Sequence, residues 1–296
     1  MDKPAPKIKY GIKSELILPA ARTTRDARKE ETMQFKYCTI EMDGPVAILR
    51  LDHQEVMNAV SMDMLGGLSE ALDAIEDRKE EVRCVVLTGA GRAFCTGANL
   101  QGRNQQQKPG RSNAGQTLET GFHPFLRRVR NLHCPLVTAV NGPAAGAGMS
   151  FALLGDMILA ARSAYFLQAF RRIGLVPDCG STWLMPRLVG RARSIELSLM
   201  GERLPAEKAL EWGLINRVYD DAELMKEAMK LAHELANGPT VALSLIRKLY
   251  WDSPENSFED QLNLEFQSQR IAGATEDFKE GVGAFLEKRP AKFRGK

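Results

Sequence analysis

The 296-residue sequence has little of several features that mark particular classes of protein. It contains only five cysteines, an odd number without a CxxC pair, so no disulfide framework is expected. No apolar run reaches the roughly 18 residues that span a bilayer, and the first residues lack the apolar core of a secretory signal. The net charge is only +3, and no basic stripe with interleaved aromatic residues occurs. These absences argue against membrane and nucleic-acid binding and favour a reducing cytoplasm.

Histidine is also scarce, with four residues in the chain. His53, His133 and His233 do not have the spacing of metal ligands. We therefore predict that the protein holds neither a metal ion nor a permanently bound cofactor.

The composition itself is that of a globular protein, with 44% apolar and 26% charged residues. Three segments differ in pattern. Residues 1–32 carry scattered prolines and charges and few large apolar residues, which predicts a mobile extension. Residues 33–219 alternate strand and helix patterns, which predicts an α/β core. Residues 220–296 lack strand patterns and predict a helical region.

Short β-branched and apolar runs predict the strands of the core. They lie at Val46–Leu51, Val82–Thr88, Leu136–Val140 and Met157–Ala161, and continuous apolar runs of this kind are typical of parallel strands buried on both faces. Apolar residues at helical spacing follow Ser61, a good helix N-cap, and predict a helix to about Asp77.

Helix signals dominate the C-terminal region. Asp220 or Asp221 is expected to cap a helix that ends at Gly238-Pro239. Further helices are predicted at about 240–251, 257–272 and 275–288, and Ser257 with Asp260 resembles a capping box.

Two glycine-rich turns follow strands of the core. The first spans 92–100 (RAFCTGANL) and the second spans 141–150 (NGPAAGAGMS), which also begins a helix. Glycines allow close approach of the backbone and leave N–H groups available, and two such turns could direct two N–H groups at one oxygen. Ordinary structural turns remain an alternative. A dinucleotide site is disfavoured, because neither turn is a GxGxxG in a βαβ unit.

A set of segments in order along the chain resembles the crotonase superfamily, which includes the enoyl-CoA hydratases and isomerases. The segments are AFCTGANL, AVNGPAAGAGMSFALLGD, GLVPDCGSTWLMPRLVG, AEKALEWGLINRV and EGVGAFLEKRPAKF. The resemblance covers about 33–296 and implies a spiral of ββα units with a C-terminal helical region that builds trimers or dimers of trimers. It also implies a coenzyme A thioester substrate and oxyanion N–H donors at Ala98 and Ala147.

The resemblance also indicates which reaction to expect. Hydratases of the superfamily use two glutamates, and the matching positions here are Ser150 and Phe170. Asp178 is the carboxylate that remains in the motif, at a position where isomerase branches move a proton and a dehalogenase branch has a nucleophile. Capping of the following helix is the structural alternative for Asp178. The branch of phenylacetyl-CoA ring-epoxide isomerases is the most similar.

Further site residues follow from the same resemblance. His123 lies where the dehalogenase branch has a histidine, although a solvated histidine at a helix start fits equally well. Coenzyme A is expected to contact Val56, the segment 98–100 with Asn99 and Leu100, and the tail residues Phe285 and Lys288. Lys288 could pair with a phosphate or be an ordinary solvated lysine.

The sequence thus predicts an enoyl-CoA isomerase that uses Asp178 as acid and base. A hydratase, an acyl-CoA hydrolase or a dehalogenase on the same scaffold remains an alternative. A member of a different class, which binds CoA or RNA without catalysis, is a further one.

Overall fold

The structure is a computed structural model that describes residues 31–100 and 114–296. The predicted extension over 1–32 lies outside these residues except for Glu31 and Thr32, which already belong to the first strand. The strands are β1 (Glu31–Phe35), β2 (Cys38–Asp43), β3 (Val46–Leu51), β4 (Cys84–Gly89), β5 (Leu136–Val140), β6 (Ala144–Ala145), β7 (Met157–Ala161), β8 (Tyr165–Leu167), β9 (Arg203–Pro205) and β10 (Arg217–Tyr219).

Seven of these strands form one sheet in the order β1-β2-β3-β4-β5-β7-β10. The β1-β2-β3 meander is antiparallel, and every pairing from β3 to β10 is parallel. A smaller sheet has the order β6-β8-β9. Strands β4 and β5 are buried along their whole length, as expected for parallel strands covered on both faces. The predicted strands are confirmed, although β4 begins at Cys84 and not at Val82.

The helices of the core connect these strands. They are α1 (Met62–Asp77), α2 (Ala114–Thr117), α3 (His123–Arg130), α4 (Ala147–Ala152), α5 (Ser181–Met200) and α6 (Ala206–Glu211), and a π-helical turn at Leu118–Phe122 joins α2 to α3. Ser61 caps α1 as predicted, since its hydroxyl accepts a hydrogen bond from the Met64 amide at 3.1 Å. Helix α5 is interrupted at Gly190, where φ is +78°.

The C-terminal region is helical, as the sequence predicts. It contains α7 (Leu224–Ala236), α8 (Thr240–Asp252), α9 (Phe258–Gly273) and α10 (Glu276–Glu287). Ser257 caps α9 by accepting from the Asp260 amide. The predicted cap of α7 is wrong, because Glu223 occupies the N-cap position. Asp220 instead contributes its carbonyl, which accepts hydrogen bonds from the amides of Glu223 and Leu224.

A buried arginine fixes α8 to the large sheet. The Arg247 side chain is 5% exposed, forms an ion pair with Asp156, and donates to the carbonyl of Leu132 at 2.8 Å. Asp156 also accepts from the Leu136 amide at the start of β5. Burial raises the pKa of Asp156, while the Arg247 charge opposes that shift. Pairing and hydrogen bonding of both charges are what a buried ion pair requires.

All five cysteines lie within the described residues, and all are free and buried. Burial raises the pKa of Cys38, Cys95 and Cys134 to about 12. Among the helices of the described ranges, none is long and apolar enough to cross a membrane.

Candidate active site

A buried asparagine shapes the first glycine-rich turn. Asn58 is fully buried, and its side-chain amide donates to the carbonyls of Ala90 (2.9 Å), Ala93 (2.8 Å) and Phe94 (3.3 Å). These carbonyls belong to the chain that leaves β4 and therefore have no strand partner of their own. Buried backbone carbonyls require a donor, so the Asn58 amide takes the place of secondary structure in holding the turn.

The backbone of Val60 holds the end of the first turn. The Val60 amide donates to the Gly97 carbonyl at 2.7 Å, and the Asn99 amide donates to the Val60 carbonyl at 2.8 Å. Ala98 lies between these two bonds and is paired with Val60 in a parallel bridge. The position of Ala98 is therefore fixed from both sides.

The two glycine-rich turns lie side by side. The Cys95 amide donates to the Pro143 carbonyl at 3.1 Å, and the Ala145 amide donates to the Cys95 carbonyl at 2.9 Å. The Gly146 amide then bonds to the Leu167 carbonyl in β8. The second turn is thus held between the first turn and the small sheet.

Glycines make this close approach possible. A Cβ on Gly97 would lie 2.9 Å from the Ala145 carbonyl oxygen and 3.6 Å from the Ala147 nitrogen, and the φ of Gly97 is +101°. A Cβ on Gly148 would lie 2.1 Å from the Cys95 carbonyl oxygen. Side chains at either position would force the turns apart.

The geometry brings together the two predicted oxyanion donors. The Cα of Gly97 lies 3.9 Å from the Cβ position of Gly146, so the peptides Gly97–Ala98 and Gly146–Ala147 are neighbours. In the described ranges, the amides of Ala98 and Ala147 donate no hydrogen bond to another residue. Ala147 is the first residue of α4 and is 2% exposed. Two adjacent amides that the protein itself leaves available are suited to a ligand oxygen.

Asp178 lies in the loop that enters α5. Two left-handed residues follow it, Cys179 (φ +52°) and Gly180 (φ +82°), and Gly180 occupies the N-cap position without a side-chain cap. The alternative in which the Asp178 side chain caps α5 from the N-cap position is therefore wrong. The Asp178 side chain is half-buried, with its Oδ1 atom enclosed.

The thiol of Cys179 adjoins the Asp178 carboxylate. Burial raises the pKa of Cys179, and the charge of Asp178 and a hydrogen bond to its carboxylate raise it further. The thiol is therefore a neutral donor and not a nucleophile at physiological pH.

Ser150 and Phe170 occupy the positions that the sequence comparison assigned to hydratase glutamates. Ser150 is fully buried on α4, and its hydroxyl donates to the Asp178 carbonyl at 3.1 Å. Phe170 is 6% exposed, and its ring lies 3.7 Å from the Cβ position of Gly146. Both residues therefore border the paired turns, and neither carries a group that ionises there.

The predicted coenzyme A residues fall into two groups. The Thr96 hydroxyl donates to the carbonyls of Val56 (3.3 Å) and Met57 (3.2 Å), which places Val56 beside the segment of Ala98, Asn99 and Leu100. Phe285 and Lys288 lie at the end of α10, and both are exposed. Contacts within the described part of the chain do not join that end of α10 to the turns.

Two further predictions from the sequence concern His123 and the absence of a metal site. His123 is the half-buried first residue of α3. No cluster of three or more metal-ligating side chains occurs within residues 31–100 and 114–296.

Sequence reasoning missed Asn58 and the contact of Ser150 with Asp178. A lone asparagine between apolar residues was the only signal for Asn58. The Ser150 contact joins segments 28 residues apart, and no local pattern encodes it.

A mixed sheet with parallel central strands, two interlocked glycine-rich turns and a helical C-terminal region defines a crotonase-fold protein. The enoyl-CoA hydratase/isomerase family matches residues 41–296, and this chain belongs to that family. Since the family acts on CoA thioesters, the protein is an acyl-CoA enzyme whose coenzyme A arrives as part of the substrate.

Individual relatives cover nearly the whole chain. A 1,2-epoxyphenylacetyl-CoA isomerase of Escherichia coli (strain K12) is 45% identical over 262 residues, which is 88% of this chain and 100% of the relative. A probable enoyl-CoA hydratase of Rhodobacter capsulatus is 39% identical over 264 residues, 89% of this chain and 100% of the relative. A solved enoyl-CoA hydratase structure from Geobacillus kaustophilus HTA426 has a TM-score of 0.82 at 34% identity and covers 89% of this chain and 100% of its own.

Proposed function

We propose that the protein isomerises an acyl-CoA thioester, with Asp178 as the acid and base and the amides of Ala98 and Ala147 as the oxyanion hole. The observation that carries the proposal is the combination of two available amides with a single carboxylate on the adjoining loop. Ser150 and Phe170 offer no second carboxylate beside the paired turns.

The proposed reaction needs one proton carrier. The Asp178 carboxylate removes a proton from a carbon of the acyl chain, and the electron pair moves toward the thioester oxygen. The resulting enolate oxygen accepts hydrogen bonds from the Ala98 and Ala147 amides. The carboxylic acid then returns the same proton to the carbon two positions away, and the double bond shifts with no gain or loss of atoms. One general acid–base group suffices for this sequence.

The substrate class is taken from the relatives. The Escherichia coli relative is described as a 1,2-epoxyphenylacetyl-CoA isomerase, and another relative as a trans-2-decenoyl-[acyl-carrier-protein] isomerase. We therefore infer that the substrate is a ring-epoxide acyl-CoA or an enoyl-CoA. Hydration is the main alternative, because several relatives carry hydratase names. It would need a carboxylate to activate water, and Asp178 would have to act alone.

Asp178 could also act as a nucleophile, which would give a hydrolase or a dehalogenase. In the dehalogenase case His123 would assist it, and His123 is the half-buried first residue of α3. A non-catalytic CoA- or RNA-binding role is the remaining alternative.

We propose that coenzyme A lies along the segment formed by Val56 and residues 98–100. Backbone groups there would bind the pantetheine and nucleotide portions. The exposed residues Phe285 and Lys288 would reach the cofactor from a neighbouring subunit, with Lys288 near a phosphate.

The C-terminal region, residues 220–296, is proposed to assemble trimers or dimers of trimers. Its outer surface carries large apolar side chains that a monomer leaves in water. Phe285 is 83% exposed, Phe266 62% and Phe278 54%. Exposed apolar groups of this number and size mark protein interaction surfaces. The segment 33–219 would supply the catalytic core, and a cytoplasmic location remains a proposal.

One incubation series tests the reaction type. The protein is mixed separately with a 2-enoyl-CoA and a 3-enoyl-CoA, and the products are followed by absorbance, chromatography and thiol release. Interconversion of the two substrates supports isomerisation. Loss of enoyl absorbance with a hydroxyacyl product would identify a hydratase, and free thiol would identify a hydrolase.

A further inference from the structure

The carbonyl oxygen of Asp178 accepts three hydrogen bonds from two different helices. The Ser150 hydroxyl on α4 donates at 3.1 Å, the Ser181 hydroxyl on α5 donates at 2.9 Å, and the Ser181 amide donates at 3.1 Å. A carbonyl oxygen has two lone pairs, so three donors saturate the hydrogen-bonding capacity of this oxygen. The main chain at Asp178 is therefore held from both sides.

Ser150 makes its hydrogen bond in an unusual direction for a helical serine. Hydroxyls of serine inside helices commonly return to the carbonyl four residues earlier. Ser150 is fully buried, and its backbone amide already donates to the Gly146 carbonyl at 3.2 Å. Its hydroxyl instead crosses to a loop 28 residues further along the chain.

The loop needs such support because its backbone is strained. Cys179 and Gly180 both have positive φ, +52° and +82°, and a left-handed conformation at a non-glycine residue persists only where the surroundings hold it. Both residues come directly after Asp178, so any relaxation of the strain would move the Asp178 carboxylate.

Ser150 also lies on the helix that begins with one of the oxyanion donors. Ala147 and Ser150 are three residues apart on α4, about one helical turn. A hydrogen bond from Ser150 to the Asp178 loop therefore fixes the loop relative to the Ala147 amide.

We propose that Ser150 is a positioning residue that ties Asp178 to the oxyanion helix. This inference rests on the proposed function of Asp178. Hydratases of the superfamily have a glutamate at the position of Ser150. In this chain the Ser150 hydroxyl supports the backbone of Asp178 instead. The interaction sets the distance between the base and the thioester oxygen, and a misplacement of about 1 Å can reduce turnover roughly 100-fold.

The test removes the hydroxyl while the volume is kept nearly constant. Ser150→Ala is expected to lower kcat by about 10- to 100-fold, with KM for the acyl-CoA changed less than about threefold, because Ser150 is fully buried and its hydroxyl bonds to the Asp178 carbonyl. Ser150→Cys keeps a weak donor and should fall between the wild type and Ser150→Ala. If Ser150→Ala does not fold, Ser150→Cys alone must show the fall in kcat at unchanged KM.

Ser198→Ala is the matched control. The Ser198 hydroxyl also donates to a backbone carbonyl, that of Ser194 at 2.9 Å, on a distant part of α5. Ser198→Ala should leave kcat unchanged. Equal turnover of Ser150→Ala and Ser198→Ala would overturn the inference.

A double-mutant cycle with Asp178→Asn separates this inference from the function on which it rests. If Asp178 is the base, Asp178→Asn loses most turnover, and Ser150→Ala added to it should cost nothing further, since coupled residues are non-additive. Full turnover of Asp178→Asn would refute the proposed function. Loss of turnover in Asp178→Asn, with the same Ser150→Ala factor in both backgrounds, would refute only the positioning role.

Crystal structures give the second measurement. In Ser150→Ala the Asp178 carboxylate is expected to move relative to the Ala147 amide, and in Ser198→Ala it is not. An unmoved carboxylate in Ser150→Ala would contradict the inference, even where residual turnover of the double variant is too low to measure.

Discussion

The proposed chemistry depends on single residues at the paired turns. Ser150 and Phe170 border the paired turns without an ionisable group, and Asp178 is the carboxylate next to them. The amides of Ala98 and Ala147 belong to the backbone, so a change of side chain should retain both N–H groups. Substitutions at the residue scale should therefore separate the proposed base from the proposed oxyanion donors.

The first prediction concerns the base. Asp178→Asn should keep the fold and the affinity for coenzyme A but lose most isomerase activity, because the amide cannot accept and return the proton. A loss of about 100-fold or more in kcat is expected. Steady-state turnover of a 3-enoyl-CoA, together with calorimetric CoA binding, measures both effects. Near wild-type turnover would exclude the proton-carrier role.

The second prediction concerns the oxyanion donor at Ala147. Ala147→Gly keeps the N–H and should change kcat only by a small factor. Ala147→Val also keeps it, but the added methyl groups enter a site that is 2% exposed and should crowd the thioester. The crowding should lower kcat/KM, whereas any overpacking of the fold, which costs about 1–3 kcal/mol of stability, would appear in Tm. Identical kinetics of both variants and the wild type would place the thioester elsewhere.

At the scale of elements, the site depends on how closely two turns pack. Cys95 bonds to Pro143 and Ala145, and Gly97 and Gly148 leave room for the opposing backbone. Asn58 supports the first turn from a third segment. The proposed oxyanion geometry would therefore depend on turn packing and not on any one turn.

The third prediction tests this packing. Gly148→Ala would place a Cβ about 2.1 Å from the Cys95 carbonyl oxygen, so the turns must separate. We expect loss of turnover and a destabilisation of about 1–3 kcal/mol. Gly66→Ala in α1 is the matched control, since nothing lies within 4 Å of its Cβ position, and helix propensity predicts a gain of about 0.5–1 kcal/mol. Urea unfolding and turnover of both variants provide the measurement, and an active, stable Gly148→Ala would refute the packing argument.

The sequence predicted those elements whose signals are local. Ser61 and Ser257 cap the helices at which they were placed, since capping depends on neighbours three residues away. The predicted side-chain cap of α7 was wrong because Asp220 contributes its backbone carbonyl. Every residue has such a carbonyl, so the sequence carries no signal for this contact. The roles of Asn58 and Ser150 depend on contacts across 28 to 36 residues, and such contacts leave no periodic pattern. The proposed site residues come from the resemblance, since periodicity could not supply them.

At the scale of the whole molecule, the C-terminal helices carry an apolar surface that the core does not cover. Phe258, Phe266, Phe278 and Phe285 are each more than half exposed. The same region is firmly joined to the sheet through Arg247 and Asp156. A rigid attachment with an apolar outer face is suited to assembly with further copies of the chain.

The fourth prediction follows from that surface. Light scattering at micromolar concentration should give the mass of a trimer or of a dimer of trimers. Phe285→Ser should shift the population toward smaller species, because it removes one of the most exposed aromatic side chains from the interface. Met62→Ser, a 49%-exposed apolar residue at the start of α1, is the control and should leave the mass unchanged. A monomer peak for the wild type would rule the assembly out.

The buried thiols can report local opening of the native structure. Because the native state buries all five thiols and burial raises the pKa of three of them to about 12, a disulfide reagent should modify them only as fast as the surrounding structure opens. Cys179 adjoins Asp178 and Cys95 lies in the first turn, whereas Cys38 belongs to β2. Modification rates resolved by peptide mass would therefore measure local fluctuation separately at the loop before α5, in the first glycine-rich turn and in the second strand of the large sheet, without a probe residue being introduced.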